Sequence, residues 1–138
     1  MPVPLHWHTE PFLLINLLLT GWLYALFIGP LRQKLWPGQP LPAGKVVTFY
    51  LALAGLYLIV GSPLDQISED YLFSAHMVQH MLLIYILPPF FLYALPRWMM
   101  DSAFTAAPLR KAAKVLTNPV FAGLCFTIMY TAWHFPDL

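Results

Sequence analysis

Four long apolar stretches, separated by short polar segments, constrain the fold of this chain more than any other feature of its sequence. They cover residues 12–29, 45–61, 71–95 and 119–135. Each is close to the ~20 residues that a helix rising ~1.5 Å per residue needs to cross ~30 Å of hydrocarbon. Because lipid offers backbone amides no hydrogen-bond partner, each stretch is expected to form a transmembrane helix.

The composition agrees with this expectation and excludes a water-soluble globule. Of the 138 residues, 59% are hydrophobic and 9% are charged, so there are too few polar side chains to cover a soluble surface. The single cysteine, Cys125, excludes an internal disulfide and any multi-thiolate metal site. No basic tract points to nucleic acid. We therefore predict an all-α integral membrane protein with a single transmembrane domain over residues 1–138, folded as an antiparallel bundle of four helices.

Proline and capping residues refine the element boundaries. Pro30 is expected to close the first span, and Pro88-Pro89 to kink the third span towards its far end. Ser62 followed by Pro63 resembles a helix start and predicts a short surface helix on the outer side before the third span. Asn118 is expected to cap the fourth span, with Pro119 in the first helical position.

Charges and histidines are segregated along the chain, which predicts its orientation. All seven cations lie in the segments that follow the first and third spans, or at their edges: Arg32, Lys34, Lys45, Arg97, Arg110, Lys111 and Lys114. Cationic loops remain in the cytoplasm, so both termini are predicted to be non-cytoplasmic. The N-terminus carries no Lys or Arg before the first apolar run, so that run is expected to be a span of the mature protein rather than a signal peptide.

All five histidines then fall on the outer side, and one pair stands out. His76 and His80 are one helical turn apart, roughly 40° around the axis, and Met77 and Met81 extend the same flank. Two imidazoles with two thioethers suit copper, particularly the cuprous ion. His134 lies near the outer end of the fourth span, where antiparallel packing could bring it to the pair. These five residues form the predicted metal site.

Structural explanations of the same residues remain open. A histidine in a membrane helix can simply hydrogen-bond to a neighbouring helix, and a methionine can fill an irregular gap in the core. His6 and His8, on the outer N-terminal segment, are either ordinary terminal residues or a lid or entry point for the site.

Several motifs together resemble the CtaG family of bacterial membrane proteins, the cytochrome c oxidase assembly factors. They are, in order, Ser62-Pro63-Leu64, the run Leu72-Phe73-Ser74-Ala75-His76-Met77-Val78-Gln79-His80-Met81-Leu82-Leu83, Pro88-Pro89, and Trp133-His134-Phe135-Pro136. The resemblance implies a bacterial cell membrane, oxidase subunits as partners, and copper delivery on the outer side. It implies His76, His80 and His134 as site residues, with Met77 and Met81 beside them. Family members are generally longer, so the resemblance indicates a short or truncated member.

Three functions follow as hypotheses. The first is a non-enzymatic assembly factor that handles copper for a haem-copper oxidase. The second is a b-type haem protein that transfers electrons, which would need His134 or an N-terminal histidine opposite the third helix. The third is a metal-free scaffold for oxidase assembly. A hydrolase has the least support, because the sequence contains no HExxH, GxSxG or phosphate-binding loop.

Overall fold

The computed structural model describes residues 7, 10–70, 72–103, 105 and 107–133. Within these residues all regular structure is helical and no strand occurs, so the all-α class is confirmed. The helices are α1 (Pro11–Leu35), α2 (Ala43–Val60), α3 (Pro63–Asp70), α4 (Phe73–Ala94), α5 (Arg97–Ala103), α6 (Ala107–Leu116) and α7 (Pro119–Trp133).

Three of these helices, α1, α2 and α4, are long and apolar enough to cross a membrane. A fourth span is obtained when α6 and α7, which meet at an angle of 71°, are counted together. By itself the 15-residue α7 reaches about 22 Å at the usual helical rise. The chain is therefore a helical membrane protein with three or four candidate spans among its described residues.

The chain divides into two compact units, residues 1–96 and 97–138. In the first unit, α2 packs against α1 and along the second half of α4. The ring of Tyr24 from α1 stacks on Phe49 from α2 with centroids 3.7 Å apart, and the Tyr24 hydroxyl donates to the Ala94 carbonyl at 3.1 Å. A second buried cluster joins Ala52 and Ile59 of α2 to Leu87 of α4.

The prolines inside α1 and α4, Pro30 and Pro88-Pro89, lie in or after π-helical segments and do not end their helices. The first helix does not stop at Pro30; it passes through a π-helical segment, Phe27–Leu31, and continues to Leu35. In α4 a π-helical segment, Leu82–Ile86, directly precedes Pro88-Pro89. The carbonyls four residues before these two prolines lie inside this segment, and its wider turn relieves the clash that a proline ring makes with such a carbonyl.

The predicted helix starts are present. Ser62 Oγ accepts a hydrogen bond from the Leu64 amide at 3.3 Å, at the start of α3. In the second unit, Asn118 Oδ1 accepts from the amides of Val120 at 3.0 Å and Phe121 at 3.2 Å. Both side chains therefore satisfy amides that have no partner inside their helix.

Lys45 holds the C-terminal end of α4. Its Nζ donates to the carbonyls of Tyr93 and Leu95, the latter at 2.9 Å, and lies 4.9 Å from the centroid of the Tyr93 ring. Terminal carbonyls of a helix lack partners within it and carry the negative end of its dipole. Lys45 therefore caps α4 from the start of α2.

Candidate metal site

The histidine pair is formed in α4. His76 Nε2 and His80 Nε2 are 2.9 Å apart, and the two rings meet edge to face with centroids 4.4 Å apart. Both side chains are half-buried. The one-turn spacing thus brings the two nitrogen atoms together. When no ion lies between them, one Nε2 donates a hydrogen bond and the other accepts it.

The pair lies close to the beginning of its helix. Helix α4 starts at Phe73, with Leu72 in an extended conformation as its N-cap residue. At ~1.5 Å per residue, His76 and His80 lie about 4.5 and 10.5 Å along the helix. They are nearer to the helix end than a span beginning at residue 71 predicts.

The two methionines differ in their surroundings. Met77 is half-buried, whereas Met81 is 58% exposed. A thioether can join two imidazoles around a soft ion, and a flexible methionine can turn towards one. Their role as copper ligands stays a prediction.

A buried glutamine, Gln79, holds the N-terminal part of α4 in place. Its amide nitrogen donates to the Ile59 carbonyl of α2 at 3.1 Å and to Asp65 Oδ1 of α3. Its amide oxygen accepts from Ser68 Oγ at 2.6 Å. Gln79 is 7% exposed and Ser68 is 4% exposed. All the polar atoms of the amide are therefore used, and three helices are joined at one side chain.

The hydrogen bonds of Gln79 fix the rotation of α4 about its own axis near His76 and His80. Gln79 precedes His80 directly and follows His76 by three residues, so the side that carries Gln79 is turned towards α2 and α3. The imidazoles lie on adjacent parts of the circumference, roughly 60° and 100° away from it. Sequence reasoning missed Gln79 and Asp65 as supporting residues. A glutamine within an otherwise apolar helix was the available signal, because such a group needs partners.

The remaining predicted residues lie outside the described part of the chain. This applies to His134, His6 and His8. Trp7, which lies between the last two in sequence, stacks on Tyr57 of α2 with centroids 6.0 Å apart. Among the described residues, no group of three or more His, Cys, Asp or Glu side chains could hold a metal ion. The described geometry therefore supplies two nitrogen donors.

Two nitrogen atoms 2.9 Å apart can bind one ion together. With metal–nitrogen bonds of ~2.0–2.1 Å, this separation gives a nitrogen–metal–nitrogen angle of roughly 90°. An increase of about 0.4 Å would give the tetrahedral angle with the same bond lengths. Imidazole suits copper and zinc and is a poor ligand for magnesium or calcium. The pair can thus occupy two adjacent positions of a transition-metal shell and leave others open.

Comparison with known families supplies the context of this geometry. Residues 22–138 match the model of the family described as cytochrome c oxidase caa3 assembly factor, Caa3_CtaG. The chain belongs to this family. The match covers residues 22–29 of the first apolar stretch and all of the other three, and it includes the histidine pair and Gln79. The resemblance drawn from the motifs is confirmed. No curated protein and no solved structure matches the chain.

Proposed function

We propose that this protein takes part in the assembly of a haem-copper cytochrome c oxidase by handling copper on the outer side of the membrane. The 2.9 Å separation of His76 Nε2 and His80 Nε2 is the observation that carries the proposal. Membership of the oxidase assembly factor family supplies the process. Copper is the cargo, and oxidase subunits are the partners.

The mechanism is ligand exchange without a change of oxidation state. His76 and His80 donate nitrogen lone pairs to a cuprous ion, and Met77, Met81 or His134 completes the shell. An incoming donor of the recipient subunit occupies an open position, after which the imidazoles leave one at a time. Cuprous copper favours this exchange because it accepts nitrogen and sulfur donors and has no rigid geometric preference. The protein acts as a carrier rather than as an enzyme.

The proposed arrangement in the membrane is a four-helix antiparallel bundle with α7 as the last span. The cations at the end of α1 and the start of α2, and those between α4 and α7, are then cytoplasmic, and both termini are outside. Such an arrangement puts the beginning of α4, with its histidines, at the outer surface of a bacterial cell membrane. Copper exchange with a subunit exposed on that side needs this orientation.

The test is a cuprous titration of the purified full chain against a coloured competing chelator. We expect about one ion per chain, consistent with a single His/Met cluster. The variant His76→Ala/His80→Ala should weaken the affinity by at least about tenfold, which is ~1.4 kcal/mol. The matched control is His6→Ala/His8→Ala, which removes the same number of imidazoles from the N-terminal segment and should retain wild-type binding.

Two outcomes would contradict the proposal. Undiminished binding in the His76→Ala/His80→Ala variant would show that the pair is not the copper site. Normal copper content of the oxidase in cells that carry only this variant would show that the pair is not needed for assembly. If oxidase assembly were instead lost on substituting Glu69 alone, the metal-free scaffold would be the better account.

The geometry gives the haem alternative no support. Two axial histidines must approach a haem iron from opposite faces, whereas His76 and His80 come from one helix and are in contact with each other. A Soret band in the purified protein would nevertheless restore this hypothesis.

A further inference from the structure

Helix α6 (Ala107–Leu116) has two chemically different faces. Its cations, Arg110, Lys111 and Lys114, fall within about 100° of the helix circumference. Leu109, Ala112 and Leu116 lie on the opposite side, roughly 200–260° from Arg110. Leu109 and Leu116 are 50% and 63% exposed, so the described residues of the same unit leave the apolar face uncovered. A helix with this pattern is typical of one that lies at a membrane surface.

The orientation of α6 relative to α7 agrees with such a position. The two helices meet at 71° across a break at Thr117 and Asn118, and Asn118 caps the start of α7. Membrane-spanning helices tilt on average about 20° from the bilayer normal. If α7 follows this rule, α6 lies within roughly 40° of the plane of the membrane surface. The capped break then marks the interface where the chain turns into the hydrocarbon.

A position of α6 inside the membrane is unfavourable. If α6 and α7 formed one broken span, Arg110, Lys111 and Lys114 would enter the hydrocarbon, and each cation is costly there. A surface position removes this cost, because the cations remain at the headgroups while the leucines are buried. Lys and Arg side chains are also long enough to extend from a half-buried helix to the phosphates.

We propose that α6 is a surface-lying helix that binds anionic lipid headgroups of the cytoplasmic leaflet. Its leucines enter the acyl boundary, and its three cations contact lipid phosphates. Positive charge attracts negatively charged lipids, and the bend towards α7 keeps the helix at the surface. This interaction is independent of copper and requires no residue of the histidine pair.

The first test locates the two faces in the full chain reconstituted in nanodiscs with 30% phosphatidylglycerol. Cys125 is replaced by serine because its side chain is exposed and would itself react. Single nitroxide labels are introduced as Leu109→Cys, Leu116→Cys, Lys111→Cys and Lys114→Cys. We expect labels at 109 and 116 to be accessible to oxygen and protected from a water-soluble nickel reagent. Labels at 111 and 114 should show the opposite preference.

Three results would overturn the proposal. Access of the nickel reagent to all four labels would place α6 in water. Access of oxygen alone to all four would place it inside the hydrocarbon. Protection of labels 109 and 116 from both reagents would show that protein, from another chain or a second copy, covers the apolar face.

The second test concerns the lipid charge and uses matched variants. Arg110→Gln/Lys114→Gln removes one arginine and one lysine from α6, and Arg32→Gln/Lys34→Gln removes the same pair from the end of α1. Native mass spectrometry of each protein measures retained phosphatidylglycerol. Two surface cations should contribute about tenfold or more to anionic lipid affinity. We expect this loss in the α6 variant and not in the α1 variant; an equal loss in both, or in neither, would contradict lipid binding by α6.

Discussion

The two ends of α4 are held by different kinds of polar contact. At the C-terminal end a cation, Lys45, caps the carbonyls of Tyr93 and Leu95. Near the N-terminal end a neutral amide, Gln79, joins α4 to α2 and α3. A neutral amide makes the connection without placing a positive charge beside the imidazoles, which would repel a metal cation. The end that carries the histidines is thus fixed in place by a group that does not repel a metal cation.

The largest effect on stability is expected when the Gln79 amide is removed. In the variant Gln79→Leu, the Ile59 carbonyl and the Asp65 carboxylate lose a donor, whereas the Ser68 hydroxyl can still donate to the Asp65 carbonyl. Unsatisfied buried groups cost roughly 1–3 kcal/mol each, so we expect the free energy of unfolding to fall by about 3 kcal/mol. Unfolding by detergent titration in mixed micelles measures it.

The control for this variant lies on α3. The Oε1 atom of Gln66 is buried and accepts no hydrogen bond from any described residue. The variant Gln66→Leu removes that unsatisfied atom and should leave the free energy of unfolding unchanged or raise it. Equal losses in the two variants would show that the Gln79 contacts are not what holds this end.

A smaller effect is expected at the junction of α2 and α3. A Cβ at Gly61 would lie 2.5 and 2.7 Å from ring atoms of Tyr57 and 2.9 Å from its carbonyl oxygen. The variant Gly61→Ala must therefore displace Tyr57, at a cost of about 2 kcal/mol. Gly44→Ala is the control, since a Cβ there meets nothing within 4 Å and alanine favours the helix. Thermal unfolding in detergent should separate the two; equal midpoints would refute the steric argument.

The smallest effect is expected at the C-terminal end of α4. Lys45→Met keeps most of the apolar stem but removes the charge-assisted bonds to the two carbonyls, so we expect a loss of about 1.5 kcal/mol in the free energy of unfolding. Copper affinity should be unchanged, because the histidines are at the other end of α4. Lys34→Met, which removes a cation from the end of α1, serves as the control. A change in copper affinity caused by Lys45→Met would show that the two ends are not independent.

The sequence predicted what depends on local chemistry. Apolar length predicted three helices long enough to span a membrane, α1, α2 and α4. Ser62 and Asn118 predicted the helix starts, and the one-turn spacing predicted that His76 and His80 would meet. The prediction that Pro30 closes the first span was wrong, because a local rule for helix termination does not foresee a π-helical turn. The contacts of Gln79 with residues 11, 14 and 20 positions away depend on tertiary packing, which no short pattern encodes. Whether His134 joins the pair stays a prediction.

The copper site can be examined by X-ray absorption spectroscopy of the cuprous-loaded full chain, because this method reports the atoms bound to copper. We expect two nitrogen neighbours at about 2.0 Å, contributed by His76 and His80. Their signal should disappear in the variant His76→Gln/His80→Gln and persist in the variant His6→Gln/His8→Gln. A shell of sulfur alone, or a nitrogen shell that survives the loss of His76 and His80, would contradict the proposed copper site.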